Sequence, residues 1–252
     1  MSEVVEKLNE KIIEWVCDNT SDCKVSDVIV GLAYTKVTLA DMRSGLSFTF
    51  ARQSSKACCP LGDSAPLAGR NALDLVSGLS SKNQLERSVA LATINALRND
   101  EFEGEGECDA LSAGVVRSSD RVAMVGYFGP LVAPLQSQCR KLHVFDKDIS
   151  KAKMLSPLAD MPEIVQQSDV AFITSTSIAE GSAEEVLSAV GDCREVVLLG
   201  ASTPLIPHFF KDYRVTMLSG VVVKDDSSLT RFVKEGRGMR SFKGCLKKIN
   251  VM

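Results

Sequence analysis

From about Arg121 onward, short apolar runs alternate with helical stretches, and this change of pattern constrains the fold more than any other feature of the chain. Strands are expected over 122–126, 142–146, 170–174, 195–199 and 215–218, each followed by a helix or helical turn. Near-continuous apolar strands are buried on both faces, which predicts a Rossmann-like parallel α/β sheet covered by helices. Ligands of such sheets sit outside the carboxyl ends of the strands, so the residues at those tips carry the functional question.

The first half reads differently. Val4, Val5, Leu8, Ile12, Ile13 and Val16 recur at helical spacing and predict a helix over 3–17. Three β-rich runs follow at 27–33, 35–39 and 46–51, an antiparallel meander whose last two strands turn around Arg43-Ser44-Gly45. Residues 53–69, with Pro60, Gly62 and Pro66, read as an irregular loop. Helices are expected over 71–79 and on to about Leu97, the second opened by a capping box of Ser81 and Gln84. Six carboxylates and two glycines over 100–109 read as a solvated connector or, against their lack of calcium-loop spacing, a cation-binding loop, and they divide the chain into 1–108 and 109–252.

Composition narrows the partners. Twenty-nine basic against 32 acidic residues leave a net charge of -3 with no basic cluster, so nucleic acid is not an expected partner. The charged amphipathic start has no secretory pattern, and no window approaches 18 uninterrupted apolar residues, so neither export nor a membrane span is expected. Eight cysteines in such a chain then read as reduced thiols, which predicts a cytoplasmic protein. None forms a C-x-x-C pair, and His143 and His208 are far apart, so zinc spacing is absent. A homo-oligomer is compatible with all of this.

The strand tips share one small, polar chemistry. The first ends Gly126-Tyr127-Phe128-Gly129-Pro130-Leu131, a tight turn into a helix start without the spacing of a dinucleotide-binding loop. Asp146, 20 residues beyond Gly126, stands where a ribose-binding carboxylate would, or caps the next helix. The third runs into Thr174, Ser175, Thr176 and, at the end of the same loop, Glu180-Gly181-Ser182. The fourth is followed by Ser202 and Thr203, and the fifth ends Ser219-Gly220. Four polar tips on adjacent parallel strands predict one pocket. Asn95 of the first half either reaches that pocket or satisfies a helix end. His143, alternating with apolar neighbours, reads as a sheet-face histidine, while His208, Cys58 and Cys59 are weak metal candidates beside Glu180.

Gly126-Tyr127-Phe128-x-Pro130-Leu131, Asp169-Val-Ala-Phe-Ile-Thr174, Leu198-Leu-Gly-Ala-Ser202-Thr-Pro-Leu205 and Ser219-Gly220-Val-Val-Val-x-Asp225, in that order, resemble the uncharacterised proteins described as putative heavy-metal chelation. Ala68-Gly69-Arg70 and Glu86-Arg87-Ser88-Val-Ala-Leu-Ala92-x-Ile-Asn95-Ala96 are similar to the domain those proteins carry in front. The resemblance spans nearly the whole chain. It implies an enolase N-terminal-like domain packed on the Rossmann-like domain, a composite site in the cleft between them, and a link to heavy-metal handling or anaerobic corrinoid metabolism. One departure stands out: relatives often have Asn followed by Gly-Thr where this chain has Glu180-Gly181-Ser182, and a carboxylate there favours a cation over an anion.

Two functions follow as expectations. One is a protein that binds a small polar metabolite, a metal or a metal complex between its halves. The other is an enzyme that holds a nucleotide or S-adenosylmethionine-like cofactor in the same cleft, with Asp146 on a ribose and Glu180 or Asp225 transferring a proton. A scaffold with a vestigial cleft is the third. No nucleophile, base and orienting group can be assigned, and no cofactor follows from the residues. Fold resemblance does not carry enolase chemistry with it.

Overall fold

The computed structural model describes residues 3–50, 61, 65–99, 110–111, 113–148, 150 and 154–251, with residues 3–7 as backbone alone. The opening helix α1 (Glu3–Asn19) presents Leu8, Ile12 and Val16, all fully buried, at the i, i+4, i+8 spacing of one helix face. Strands β1 (Val25–Val30), β2 (Tyr34–Leu39) and β3 (Ser44–Phe48) pair in that order as an antiparallel meander. Helices α2 (Ala72–Val76) and α3 (Gln84–Leu97) complete the first half, as the helix-meander-helices expectation requires.

The cap of α3 differs from the expected one. The backbone tightens into a 3-10 turn over Ser77–Ser80 and then extends at Ser81, so the helix begins two residues later on Asn83. The Asn83 side chain accepts the Leu85 amide at 3.0 Å, whereas the Ser81 hydroxyl accepts the Asn83 amide at 3.0 Å and donates to Glu86 Oε2 at 2.5 Å. Gly45 lets β3 lie directly on α3, since a Cβ there would overlap the backbone of Ala92, Asn95 and Ala96.

The second half alternates as expected: β4 (Arg121–Val125), α4 (Gly129–Gln138), β5 (Lys141–Phe145), α5 (Met161–Gln166), β6 (Val170–Thr174), α6 (Thr176–Glu180), α7 (Ala183–Ser188), β7 (Glu195–Leu199), α8 (Pro207–Phe210), β8 (Met217–Val223), α9 (Asp226–Lys234) and β9 (Leu246–Val251). The six strands order as β5-β4-β6-β7-β8-β9, parallel except for β9, which runs antiparallel to β8. Two features depart from the expectation. The fifth strand continues to Val223, which places Ser219 and Gly220 within it rather than at its tip. β9 has no alternating pattern to betray it, because it is an edge strand in which Ile249 alone is buried and Lys248 faces solvent.

The two faces of this sheet are covered by different material. Val132 and Leu135 of α4 pack with Val115, Val122, Met124 and Phe172 on one face. On the other, Val165 of α5, Ile178 and Ala179 of α6, Val186 of α7 and Phe210 join one core with Leu8 and Ile12 of α1 and Leu91 and Ile94 of α3. The second point of union is the outer face of the meander, where Leu46 packs with Leu229, Val233, Phe242 and Cys245. Beside that cluster the fully buried Lys36 pairs with Asp226 at 2.6 Å and donates to Thr38 Oγ1 at 2.5 Å. The meander is thus held between α3 of its own half and α9 of the other.

Candidate functional site

β4 lies between β5 and β6, and the chain leaves β4 and β6 toward helices on opposite faces of the sheet. That arrangement makes the carboxyl end of β4 the topological switch point, outside which doubly wound sheets bind ligands. Gly126 makes the turn with φ +93, and its missing side chain is what admits Thr174: a Cβ on Gly126 would lie 2.6 Å from Thr174 Cβ. Tyr127 donates its amide to Asp146 Oδ2 at 2.7 Å, while Asp148 donates to Asp146 Oδ1 at 2.7 Å. Asp146 therefore ties the tip of β5 to that of β4 with one carboxylate oxygen and holds its own following loop with the other. The Phe128 ring lies beside Gly200 at the tip of β7, within 3.9 Å of where a Cβ would stand. Phe128 is also the N-cap of α4 and offers no side-chain acceptor, and Pro130 sits in the first turn with its ring exposed.

The hydroxyls divide into two sets. Thr174 and Thr176 are half-buried and share a 3.0 Å hydrogen bond at the switch point. Ser175, Ser202 and Thr203 are buried and bonded within the fold: Ser175 to Thr203 at 2.6 Å and to the Leu199 carbonyl at 3.1 Å, Thr203 to the Gly200 carbonyl at 2.7 Å, and Ser202 as acceptor of the Phe48 amide at 2.8 Å. The last of these joins the meander to the loop after β7. Ser219 contributes its carbonyl, which accepts the Gly200 amide at 3.0 Å, and Gly220 makes room for Leu205 and Thr203.

Asn95 stands farther along the interface between the halves. Its amide group donates to the Leu46 carbonyl at 2.7 Å, and its buried Oδ1 has no hydrogen-bond partner among the described residues. It lies at the closed seam between α3 and β8, with Asn99, Thr203, Leu205 and Val222. Asp225 caps α9 by accepting from Ser228 and Ser227, and those hydrogen bonds hold its carboxyl below the ordinary carboxylate range. His208 is exposed on α8, and His143 shares a 3.2 Å hydrogen bond with Ser156, its pKa lowered by burial and then by Lys141. Cys58 and Cys59 lie outside the described residues.

Two residues that sequence reasoning passed over belong to this region. Lys147 pairs with Glu180 Oε1 at 2.7 Å. Arg87, buried on α3, donates to the Ala179 carbonyl at 2.5 Å and the Glu180 carbonyl at 3.0 Å. The signal for Arg87 was a cation inside an otherwise apolar helical stripe. Lys147 had only its place after a strand tip.

Family models for two domains, both described as putative heavy-metal chelation, match residues 13–98 and 109–252. The chain belongs to this heavy-metal chelation family. An uncharacterized protein of Methanocaldococcus jannaschii is 23% identical over 97% of this chain and 96% of its own length. The fold is also similar to two crystal structures of proteins of unknown function from the same family. One, from Pyrococcus horikoshii, has a TM-score of 0.81 at 19% identity, over 98% of this chain and 99% of that one. The other, from Desulfitobacterium hafniense, has a TM-score of 0.78 at 22% identity, over 97% and 98%. Among the described residues no three His, Cys, Asp or Glu side chains come together as a metal-holding group, and no helix is long and apolar enough to cross a membrane.

Proposed function

We propose that this member of the heavy-metal chelation family binds a small polar molecule, or a metal already complexed by one, in a composite site formed by the switch-point crevice and the first half above it. The observation that carries this reading is the meeting of Gly126, Thr174 and Phe128 at the end of β4. Hydroxyls of Thr174 and Thr176 suit a polar edge, and the Tyr127 and Phe128 rings supply apolar surface. Among the described residues the donor set does not fit a bare soft ion: Glu180 is engaged by Lys147, His208 is exposed, and Cys193 donates to the Ser168 and Val165 carbonyls with its pKa pushed up to about 11, chiefly by burial. A metal entering with its own organic ligands meets the polar lining better. The chain would then comprise domains 1–108 and 109–252, a division supported by the extents of the two family matches.

The cofactor-using enzyme is the second reading, favoured by the position of Asp146 at the tip of β5. Its two oxygens already accept amides, which leaves less of the carboxylate for a ribose. Thermal shifts separate the two. Cadmium or zinc alone, the same metals with citrate, ATP and S-adenosylmethionine are added in turn to the wild type and to the Thr174→Val, Thr176→Val double variant. A ligand at a hundredfold its Kd stabilises by about 2.7 kcal/mol. The proposed function expects the metal-citrate arm to respond in the wild type and not in the double variant. Response to ATP or S-adenosylmethionine alone would transfer the site to the enzyme reading, and a response indifferent to both threonines would remove it from this crevice.

A further inference from the structure

The short helix α6 ends in carbonyls that no further turn satisfies, and the first half supplies their donors. Arg87 takes Ala179 and Glu180 through Nε and Nη2, and its Nη1 donates to the Ser81 carbonyl at 2.6 Å. A guanidinium can hold several acceptors in one plane, which a single ammonium cannot. Asn9 adds a 3.4 Å hydrogen bond to the Ile178 carbonyl. The end of α6 is therefore gripped from the opposite half of the molecule.

The side chain at that gripped end is Glu180. One carboxylate oxygen meets Lys147, and the other accepts the Ser182 hydroxyl at 3.0 Å. Lys147 follows β5 and Glu180 ends α6, the helix after β6, while β4 runs between those strands. Two strand spacings of about 4.8 Å separate β5 from β6, and the ion pair bridges the elements that follow these two flanking strands. Asp146 does not compete for Lys147 by position alone, since its oxygens already hold the Tyr127 and Asp148 amides.

We propose that the Lys147–Glu180 pair is a strap across the mouth of the switch-point crevice, anchored on the glutamate side by Arg87 and opened by withdrawal of the lysine. This rests on the reading of that crevice as the ligand site. The two ends differ in freedom: the Lys147 side chain is 64% exposed and that of Glu180 is 24% exposed. Solvent competes for the lysine, whereas the glutamate backbone is held by the first half. An exposed pair of this kind contributes little, which is what an access device requires.

Hydrogen exchange of the full-length, ligand-free protein, read by mass spectrometry, tests the strap. Glu180→Gln and Lys147→Met each raise exchange about two- to fivefold in peptides covering 126–131 and 174–177, the range set by an exposed ion pair. The charge-swapped Lys147→Glu, Glu180→Lys double variant returns those peptides to the wild-type rate, a rescue that packing alone would not give. Wild-type protein in 1 M salt behaves like the single variants, because screening weakens an exposed pair. Unchanged exchange in both singles, a swap no better than the singles, or a rise equally large in α3 and β7 would each overturn the strap. No ligand enters this experiment, so its failure is distinct from failure of the metal-citrate arm above.

Discussion

Replacing Asp226 by Asn strands a buried ammonium. Lys36 is 1% exposed, and the partners left to it would be the Thr38 hydroxyl and a neutral amide. Removing one member of a buried ion pair costs about 3–5 kcal/mol. Asp226 is 29% exposed, so water softens the loss, and Asp226→Asn is expected at the lower end, about 3 kcal/mol. The variant also gives up a first-turn carboxylate on α9, a further effect of about 0.3–1 kcal/mol. Lys36→Met behaves differently: methionine fills the space of the lysine stem, and Asp226 keeps the Ser44 hydroxyl at 2.5 Å and access to solvent. That variant is expected to lose about 1 kcal/mol. The double variant should then be about 2 kcal/mol more stable than Asp226→Asn alone, since no buried charge remains without its counter-ion.

Urea titrations followed by the single tryptophan, Trp15 on α1, and by far-ultraviolet circular dichroism give the three values when the two probes coincide. In a chain of this size 1 kcal/mol moves the melting temperature by about 2–4 °C, so Asp226→Asn is expected to melt about 6–12 °C early. Equal losses in the two single variants, or a double variant no better than Asp226→Asn, would refute a buried lysine whose charge depends on the other half of the chain.

Gly126→Ala and Gly69→Ala separate backbone strain from crowding: both sites have positive φ, +93 and +88, but a Cβ at Gly69 meets nothing within 4 Å. Calorimetric melting should show about 1 kcal/mol lost at Gly69 and at least about 1 kcal/mol more at Gly126, where Thr174 is in the way. Asn83→Ala should lose about 1 kcal/mol in urea titrations, more than Ser81→Ala, if Asn83 is the cap of α3. Burial pushes Cys193 up to about 11 and Tyr34 up to about 12, and both groups fold in the protonated form. Their contributions are full below the unfolded values and fade as pH rises through the folded ones, so stability falls between about pH 9 and 12. Cys193→Ala should flatten the lower part of that decline, and a pH profile unchanged by it would refute the assignment.

The sheet was legible because fully buried strands announce themselves: Val-Ala-Phe-Ile at β6 and Val-Val-Leu-Leu at β7 permit few other readings. The polar tips were legible as residue types, but not as directions. Gly200, at φ +122, turns the loop after β7 back on the sheet, and this carries Ser202 and Thr203 inward to bond Phe48, Ser175 and Gly200. No local pattern encodes such a turn of the chain. Lys36 shows the same limit from the opposite side, since a lysine in a meander strand reads as solvent-facing until an acid 190 positions later covers it. Long-range partners decide the burial of polar groups, and periodicity reports only the local face.

The core that includes Leu8 and Leu91 also includes Ile178 and Phe210, and the meander is closed on its outer face by Leu229 and Phe242. Unfolding either half would therefore expose apolar surface of the other, at about 25 cal/mol for each Å² uncovered. The halves are expected to melt in one transition, with calorimetric and van't Hoff enthalpies equal. Two resolved transitions would mean that each half keeps its own core after the interface opens. A single one means that neither half keeps an independent core once the interface between them opens.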